Sequence, residues 1–370
     1  MSRARQGNWA LGGCALALLL LALGLLTGNH AGESHGGSTR VILLGVRGLS
    51  WQSTLELMEQ RRLPTITRLV EGESAKGDLI APGYGSDDEV LASVVSGRLT
   101  FKHGMRTREE LDRFDREPGP LRRTVWGWIA SRGERVAAIG FPFSGAASSP
   151  DAWVVRGGRA GGGLDPHQVS AAALQRQRIA PEDLDASLLG RVAGDAELDE
   201  ATTAALRDCL AADLSVVALA REISQRDPGR HLFLYLEGLD RWRGLRGGST
   251  AAVAGYYEQL DGMLRSLLEI DTPHTSWLLF SERGNPGGAI RYRPHFPPLK
   301  RWPPIGFFMA WGHGVKRSVL PHTLAPVDVA ATLAYLSGNP ISLATDGIVQ
   351  LGLLDDGYFA RQRQVFAPDG

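Results

Sequence analysis

The stretch from Arg40 to Trp51, RVILLGVRGLSW, decides the fold of this 370-residue chain. Its first seven residues are mostly apolar, which is typical of a β-strand covered on both faces in a parallel sheet. The strand leads into a glycine turn, Gly45 to Gly48, and Arg47 lies inside that turn. Open α/β sheets place functional side chains at the carboxyl ends of their strands. A carboxylate at this turn would suit a metal ion, so the arginine has to be explained.

Four later segments repeat the buried-strand pattern: RVAAIGFP at 135–142, HLFLYLEGLD at 231–240, SWLLFSERG at 276–284 and IGFFMAWGHG at 305–314. Segments with helical spacing lie between them, of which the longest spans 200–226. This alternation predicts an α/β fold with a mostly parallel central sheet and helices on both faces. The glycine fingerprints of P-loop and dinucleotide-binding proteins are absent from the sequence.

The N-terminus carries a targeting signal. Arg3 and Arg5 precede the uncharged run WALGGCALALLLLALGLLTG at 9–28, which is just long enough to span a membrane. The basic flank predicts a cytoplasmic N-terminus and an exported remainder. We therefore expect a signal anchor in the inner membrane, with the chain facing the periplasm or another extracytoplasmic space. The alternative is a cleaved signal peptide and a secreted protein.

Composition and spacing divide the chain into four consecutive parts, one of which contains an insertion. The predicted parts are a signal segment (1–30), a linker (31–39), an α/β domain (40–356) with a peripheral insertion (144–199), and a C-terminal tail (357–370). Forty basic and forty acidic residues cancel, which argues against a nucleic-acid partner. The two cysteines, Cys14 and Cys209, exclude a cysteine-rich metal site and make a disulfide improbable, since Cys14 lies in the apolar run.

The ordered segments resemble a known family. RVILLGVRGLSW, RRLPTITRLVEGE and SGRLTFKHGM are similar to the opening of type I phosphodiesterases and nucleotide pyrophosphatases, which belong to the alkaline phosphatase superfamily. The likeness continues in order through FLYLEGLDR, YYEQLDGMLRSLLE, LLFSERG and APVDVAATLAYLSGNPI. It implies the alkaline phosphatase-like fold. In that family two divalent ions, usually zinc, bind the Thr or Ser nucleophile and stabilise charge on the phosphoryl oxygens.

The family's first metal ligand and its nucleophile are both altered. The first ligand, an Asp in the glycine turn, corresponds to Arg47, which is itself a cation. An alignment without a gap places Asp87 at the nucleophile, and a shift of one residue places Ser86 there. Ser86 and the acidic residues after it also form a good helix N-terminus, so a capping role is the alternative for both.

The remaining metal ligands are mostly lost. Asp240 matches a metal-binding Asp, but Gly244 replaces the His expected four residues later. The family's Asp-His pair corresponds to Glu282 and Arg283. Its last His aligns near Trp302. The histidines His295, His313 and His322 are close to that position in sequence, so one of them is a candidate for a displaced ligand. The simpler interpretation of each is a surface or second-layer residue, and His103 in KHGM is most simply structural.

Arginines at two former ligand positions suggest that positive charge replaces the metal. We expect Arg47 and Arg283 to neutralise Asp87, Asp240 and Glu282 in one pocket, with Asp240 and Glu282 as vestigial ligands. The sequence thus predicts a non-catalytic binding or regulatory protein with no metal cofactor. Its expected partners are the membrane, through the N-terminal helix, and an anionic ligand or an envelope protein.

Two alternatives remain. One is a phosphodiester or phosphomonoester hydrolase that uses Ser86 or Asp87 and an altered site for two divalent ions, zinc or manganese. The other is a structural partner in envelope assembly.

Overall fold

A seven-stranded sheet forms the centre of the computed structural model. The sheet order is β2-β7-β6-β1-β5-β3-β4. The strands are β1 Arg40–Val46, β2 Ala75–Ile80, β3 Val136–Ile139, β4 Ala152–Val155, β5 His231–Leu236, β6 Thr275–Ser281 and β7 Ile305–Gly312. Strands β6, β1, β5, β3 and β4 run parallel, whereas β7 is antiparallel to both of its neighbours. The sheet is mostly parallel, as the sequence predicts.

Helices connect these strands. They are α1 Trp51–Glu59, α2 Pro64–Arg68, α3 Asp87–Ser96, α4 Thr100–His103, α5 Val125–Ala130, α6 Ala186–Ala193, α7 Glu200–Arg226, α8 Gly238–Leu245, α9 Thr250–Leu268, α10 Pro326–Leu336 and α11 Asp356–Arg361. Short turns of other helical types occur at Leu69–Glu73, Pro181–Asp183 and Leu351–Leu353, and β8 Ile341–Ser342 pairs with β9 Phe366–Ala367 in a second, small sheet.

Two apolar cores cover the two faces of the central sheet. Alternate residues of β1 point to opposite sides, so Val41 and Leu43 pack into one core while Ile42 and Leu44 pack into the other. Helices α3, α5 and α10 supply the first core, and α1, α7 and α9 supply the second. Each fully buried large apolar side chain contributes about 1.5–3 kcal/mol, so these cores are the main source of stability. The predicted arrangement of helices on both faces is confirmed.

The register of β1 brings three strand ends together. Val46 pairs with Leu236 of β5, and Gly45 pairs with Phe280 of β6. Gly45 allows this packing, because a Cβ atom there would lie 2.4 Å from Cδ2 of Tyr235. The residues that follow β1, β5 and β6 consequently meet at the carboxyl ends of these three strands.

Two strands of the central sheet are absent from the sequence prediction. AKGDLI forms β2, and AWVV forms β4 within the segment predicted as a peripheral insertion, 144–199. Neither has the long apolar run of a central strand, because both lie at the edges of the sheet. The segment 144–199 therefore contributes an edge strand to the main sheet as well as α6.

The described residues belong to one compact unit that begins at Thr39. They are 39–81, 86–106, 110, 124–142, 152–157, 178–194, 197–246, 250–282, 284, 305–317, 323–361 and 366–367. The predicted signal segment lies outside them, as does the linker up to residue 38. Within these ranges, none of the helices has the length and apolarity needed to cross a membrane.

Candidate functional site

The candidate site lies at the carboxyl ends of β1, β5 and β6. Arg47 follows β1, Glu237 and Asp240 follow β5, and Glu282 follows β6. Helix α3 approaches from the side and brings the acidic residues of its first turn, Asp87 among them. The parallel register places these side chains together although they are far apart in sequence.

Arg47 is the central side chain of the site. Its Nη1 donates to Oδ1 of Asp88 at 3.0 Å, and its Nε lies 3.3 Å from Oδ2 of Asp240. Its guanidinium also lies 3.8 Å from Oε1 of Glu237 and 3.9 Å from Oδ2 of Asp87. The structure thus places Asp87, Asp88, Glu237 and Asp240 around Arg47.

The electrostatic environment keeps Arg47 charged. Burial alone would lower the pKa of its guanidinium, but the charges of Tyr235, Glu282, Asp88 and Asp240 outweigh burial and raise the pKa well above its ordinary value. The side chain is 22% exposed, so these interactions are only partly screened by water. Arg47 is therefore a permanent cation among acidic groups.

The glycine turn is packed tightly against α8. Gly48 has φ 82°, in the left-handed region, and a Cβ atom there would lie 3.1 Å from Cα of Asp240. Arg243, one turn after Asp240 on α8, donates through Nη1 to the carbonyl oxygen of Gly48 and through Nη2 to the hydroxyl of Tyr257 at 2.9 Å. These contacts fix the turn and thereby the position of Arg47.

The start of α8 is anchored by a buried acid. Asp213, in the middle of α7, accepts hydrogen bonds at 3.2 Å from the backbone N–H groups of Glu237 and Gly238. It also accepts a hydrogen bond at 2.8 Å from the hydroxyl of Tyr256. Burial raises the pKa of Asp213 to about 7, although these hydrogen bonds oppose the shift. Asp213 therefore positions the helix that carries Asp240.

Glu282 is the most buried acid of the site, with 1% of its surface exposed. The hydroxyl of Tyr235 donates to its Oε1, while its Oε2 has no hydrogen-bond partner among the described residues. Burial raises the pKa of Glu282 to about 7, against the opposing effects of Arg47 and Tyr235. Glu282 makes no ion pair with Arg47, but the charges of the two groups act on each other.

Ser86 is engaged as a helix cap. Its hydroxyl accepts a hydrogen bond from the N–H of Glu89 at 3.2 Å, and Oε2 of Glu89 accepts one from the N–H of Ser86 at 3.2 Å. This reciprocal pair is a capping box, which begins α3 and directs its first turn towards Arg47. Asp87 is the first residue of that turn, where a carboxylate interacts favourably with the helix dipole.

The donor set does not fit the pair of divalent ions that the resemblance implies. Asp88 and Asp240, the carboxylates nearest the glycine turn, already pair with a guanidinium that cannot lose its proton. A divalent ion placed among them would be repelled by Arg47 at short range. Within the described ranges, no cluster of three His, Cys, Asp or Glu side chains has an arrangement suited to a metal ion.

Other residues considered from the sequence lie away from this site or outside the described ranges. His103 shares a hydrogen bond with Ser93 at 3.0 Å and accepts one from the N–H of Met105, so it links α3 to α4. Burial lowers its pKa to about 4, which leaves it neutral. His313 follows β7 and its ring packs edge-on against that of His274, which directly precedes β6 and so lies at the other end of the strand from the site. Outside the described residues lie Arg283, His295, Trp302 and His322.

Five residues of the site were not selected from the sequence: Asp88, Asp213, Tyr235, Glu237 and Arg243. Asp88 is adjacent to Asp87, so the acidic pair could have been taken together. Arg243 is three residues after Asp240, a spacing that places both on one face of a helix. Asp213 lies in the middle of α7, and Tyr235 lies in the buried strand β5, where sequence gives no sign of a polar contact. Only the tertiary fold brings them to the site.

The comparisons with known proteins agree on the fold. No protein-family model and no curated protein sequence matches the chain. Among solved structures, the chain is similar to a candidate sulfatase from Bacteroides thetaiotaomicron, with a TM-score of 0.56, 11% identity, and coverage of 86% of this chain and 76% of the other. It is also similar to a phosphonate monoester hydrolase from Silicibacter pomeroyi, with a TM-score of 0.53, 11% identity and coverage of 86% and 78%. A third is the sulfatase PsFucS1 from Pseudoalteromonas sp., with a TM-score of 0.52, 14% identity and coverage of 92% and 76%.

Sulfatases and phosphonate monoester hydrolases share the fold of the alkaline phosphatase superfamily, and this chain has that fold. The fold that the sequence resemblance implies is thereby confirmed. The narrower likeness to type I phosphodiesterases stays a prediction. At 11–14% identity the comparisons establish architecture, so function has to be argued from the site.

Proposed function

We propose that this chain is a non-catalytic protein with an alkaline phosphatase-like fold, in which Arg47 takes the place of a metal ion. The observation that carries the proposal is the contact of one guanidinium with both Asp88 and Asp240, at 3.0 and 3.3 Å. Hydrolases that use two metals need carboxylates and imidazoles to hold the cations. Here a side chain of the protein itself supplies the positive charge.

The state of Ser86 and Asp87 supports this proposal. A serine hydroxyl attacks phosphorus or sulfur only when a metal ion or a base activates it. The hydroxyl of Ser86 instead accepts a backbone hydrogen bond at the start of α3. Asp87 lies 3.9 Å from the guanidinium of Arg47, which stabilises the carboxylate as an ion-pair partner.

The biological setting that we propose is the extracytoplasmic side of a membrane. The apolar run at 9–28, with Arg3 and Arg5 before it, supports an exported and membrane-anchored chain. In that setting the domain would act by binding an anionic ligand or an envelope protein, as a regulatory or assembly component. Pull-down from solubilised membranes with wild type and Arg47→Ala distinguishes a role for the site from a purely structural role elsewhere on the surface.

Metal analysis and hydrolysis assays test the loss of catalysis. We expect purified protein to contain no stoichiometric zinc or manganese. We also expect it to hydrolyse nitrophenyl phosphate, nitrophenyl phosphodiesters and nitrophenyl sulfate no faster than Asp240→Ala does, with or without added metal. Near-stoichiometric metal, together with metal-dependent turnover that Asp240→Ala abolishes, would refute the proposal and favour the hydrolase alternative.

A charge exchange at position 47 tests the role of the guanidinium. Arg47→Asp removes the cation and adds a carboxylate to a site that already holds Asp88 and Asp240. We expect calorimetric titration with Zn²⁺ or Mn²⁺ to show tighter binding to this variant than to wild type. Arg62→Asp is the matched control, because Arg62 pairs with Glu258 elsewhere. Equal affinity in wild type and Arg47→Asp would contradict the substitution of arginine for metal.

A further inference from the structure

The exposed large apolar side chains of the described residues fall mostly in two segments of the chain. Seven large apolar residues are exposed in the described part of the chain, and six of them fall in 99–101 and 343–366. These six are Leu99, Phe101, Leu343, Ile348, Leu351 and Phe366. Clustered apolar exposure of this kind marks an interaction surface more often than scattered apolar residues do.

Hydrogen bonds hold the two segments side by side. Oδ2 of Asp346 accepts from the N–H of Leu99 at 2.9 Å, and the N–H of Asp346 donates to the carbonyl oxygen of Gly97 at 2.7 Å. The N–H of Leu343 donates to Ala367 of β9 at 2.9 Å. We call the four side chains nearest this junction, Leu99, Phe101, Leu343 and Ile348, the apolar patch.

Three of the four side chains of the apolar patch are about two-thirds exposed, and Leu99 is 36% exposed. Phe101 is 67% exposed, Leu343 64% and Ile348 67%. Leaving three such side chains in water forgoes the stabilisation that each would gain from burial. A partner that covered the patch would recover this stabilisation.

Basic residues border the apolar patch on the α4 side. Arg98 precedes Leu99, Lys102 follows Phe101, and Arg106 lies four residues further on. Lys102 forms an ion pair with Asp346, the acid at the junction of the two segments. An apolar surface with a basic border suits a membrane interface, where apolar side chains enter the acyl boundary and Lys or Arg contact anionic headgroups.

We infer that the apolar patch rests on the anionic surface of a lipid bilayer. The inference builds on the membrane-anchored setting proposed above. The linker 31–39 precedes β1, and nine residues span at most roughly 30 Å when fully extended. A tether of this length keeps the domain near the lipid surface, where a weak patch binds at high effective concentration.

Docking through this surface leaves the Arg47 site accessible. Helix α3 begins at Asp87, beside Arg47, and ends at Ser96, just before the patch. Ten residues of α-helix span about 15 Å, which separates the patch from the site. One side of the domain can therefore contact lipid while Arg47 and its acids face another partner.

Fluorescence quenching in vesicles tests the inference. The full chain with Cys14→Ser carries an environment-sensitive fluorophore at Phe101→Cys or Ile348→Cys, and it is reconstituted into phosphatidylcholine vesicles with or without phosphatidylglycerol. Cys209 is buried and does not compete for the label. Leu245→Cys is the matched control, since Leu245 is 54% exposed and lies on α8. We expect spin-labelled lipid to quench the labels at 101 and 348 but not at 245, and quenching to fall without the anionic lipid.

The outcomes separate this inference from the anchor and from other partners. Equal and weak quenching at all three positions overturns the inference. Extraction with alkaline carbonate tests the anchor separately, because a chain that remains in the vesicles after this treatment is anchored whether or not the patch contacts lipid. If the labels at 101 and 348 are quenched but alkaline carbonate extracts the chain from the vesicles, the contact of the apolar patch with lipid is supported and the membrane anchor is refuted. Shielding of both labels in lipid-free detergent, together with a doubled mass, assigns the patch to a second copy of the chain and overturns the inference.

Discussion

The carboxylate of Asp213 accepts a hydrogen bond at 3.2 Å from the N–H of Gly238, the first residue of α8. Gly238 is required there, because a Cβ atom would lie 1.8 Å from the hydroxyl oxygen of Tyr256. One buried acid thus fixes the start of the helix that presents Asp240 to Arg47. Glu282, the other buried acid of the site, follows β6 and interacts with Arg47 through its charge rather than in an ion pair.

Asp213 and Glu282 give the stability of the fold a specific pH dependence. Burial raises both pKa values to about 7 from ordinary values of 3.8 and 4.5. The folded state therefore holds these protons at pH values where the unfolded state has released them. We expect the free energy of unfolding to fall as pH rises from about 4 to 7, by about 1.4 kcal/mol per pH unit for each group in the middle of that window.

Neutral substitutions isolate these contributions. Asp213→Asn and Glu282→Gln should each flatten the slope of unfolding free energy between pH 4 and 7, measured by urea denaturation at several pH values. Asp185→Asn is a control on an exposed acid that caps α6 and whose pKa is lowered, chiefly by hydrogen bonds to Ser187. A slope unchanged by either buried substitution would contradict the assignment.

Removal of the Arg47 charge should destabilise the fold. Arg47→Met leaves a group of carboxylates at the strand ends without their central cation, and we expect a loss of about 1–3 kcal/mol in unfolding free energy. Arg62→Met removes an exposed pair with Glu258 and should cost less than about 1 kcal/mol. A double-mutant cycle of Arg47→Met with Asp240→Asn should show a coupling of about 0.5–3 kcal/mol. Equal losses in the two methionine variants would argue against a central role for Arg47.

Gly48→Ala tests the packing of the glycine turn against α8. Gly48 and Gly133 have nearly the same left-handed backbone, with φ of 82° and 85°. A Cβ atom at Gly48 would lie 3.1 Å from Cα of Asp240, whereas at Gly133 it would meet nothing within 4 Å. Alanine at either position suffers a backbone strain of about 1 kcal/mol. A larger drop in melting temperature for Gly48→Ala than for Gly133→Ala therefore measures the close approach of the turn to Asp240. Identical melting temperatures would show that the turn can move away.

Sequence predicted the centre of this fold better than its margins. The apolar runs of β1, β5 and β6 identify them as central strands because both faces of each strand are buried. AKGDLI gives no such signal for β2, since Lys76 and Asp78 interrupt the apolar pattern of an edge strand in which four of six residues are only partly buried. The hydrophobic pattern of a short segment indicates how deeply that segment is buried. It does not indicate with which strand the segment pairs, and pairing is what makes an exposed segment an edge strand.

The same distinction holds for the candidate site. Arg47 directly follows β1, and Asp240 lies in the first turn of the helix after β5. Their common location at the carboxyl ends of the strands could therefore be predicted. Asp213 lies on α7 between apolar residues, and its contact with the start of α8 depends on how two helices pack on the sheet. The hydrogen bond from Tyr235 to Glu282 likewise depends on the strand order β6-β1-β5, which a single sequence does not specify.

Ser86→Ala separates a cap from a nucleophile. The hydroxyl of Ser86 accepts the N–H of Glu89, and loss of such a cap typically costs about 1 kcal/mol of unfolding free energy. Thr124→Ala is the matched control, because Thr124 caps α5 in the same way through the N–H of Gly127 at 3.2 Å. We expect both variants to lose similar stability, with no change in nitrophenyl ester hydrolysis relative to wild type. A hydrolytic activity present in wild type and in Thr124→Ala but missing from Ser86→Ala would make Ser86 a nucleophile, because a cap can change activity only through folding.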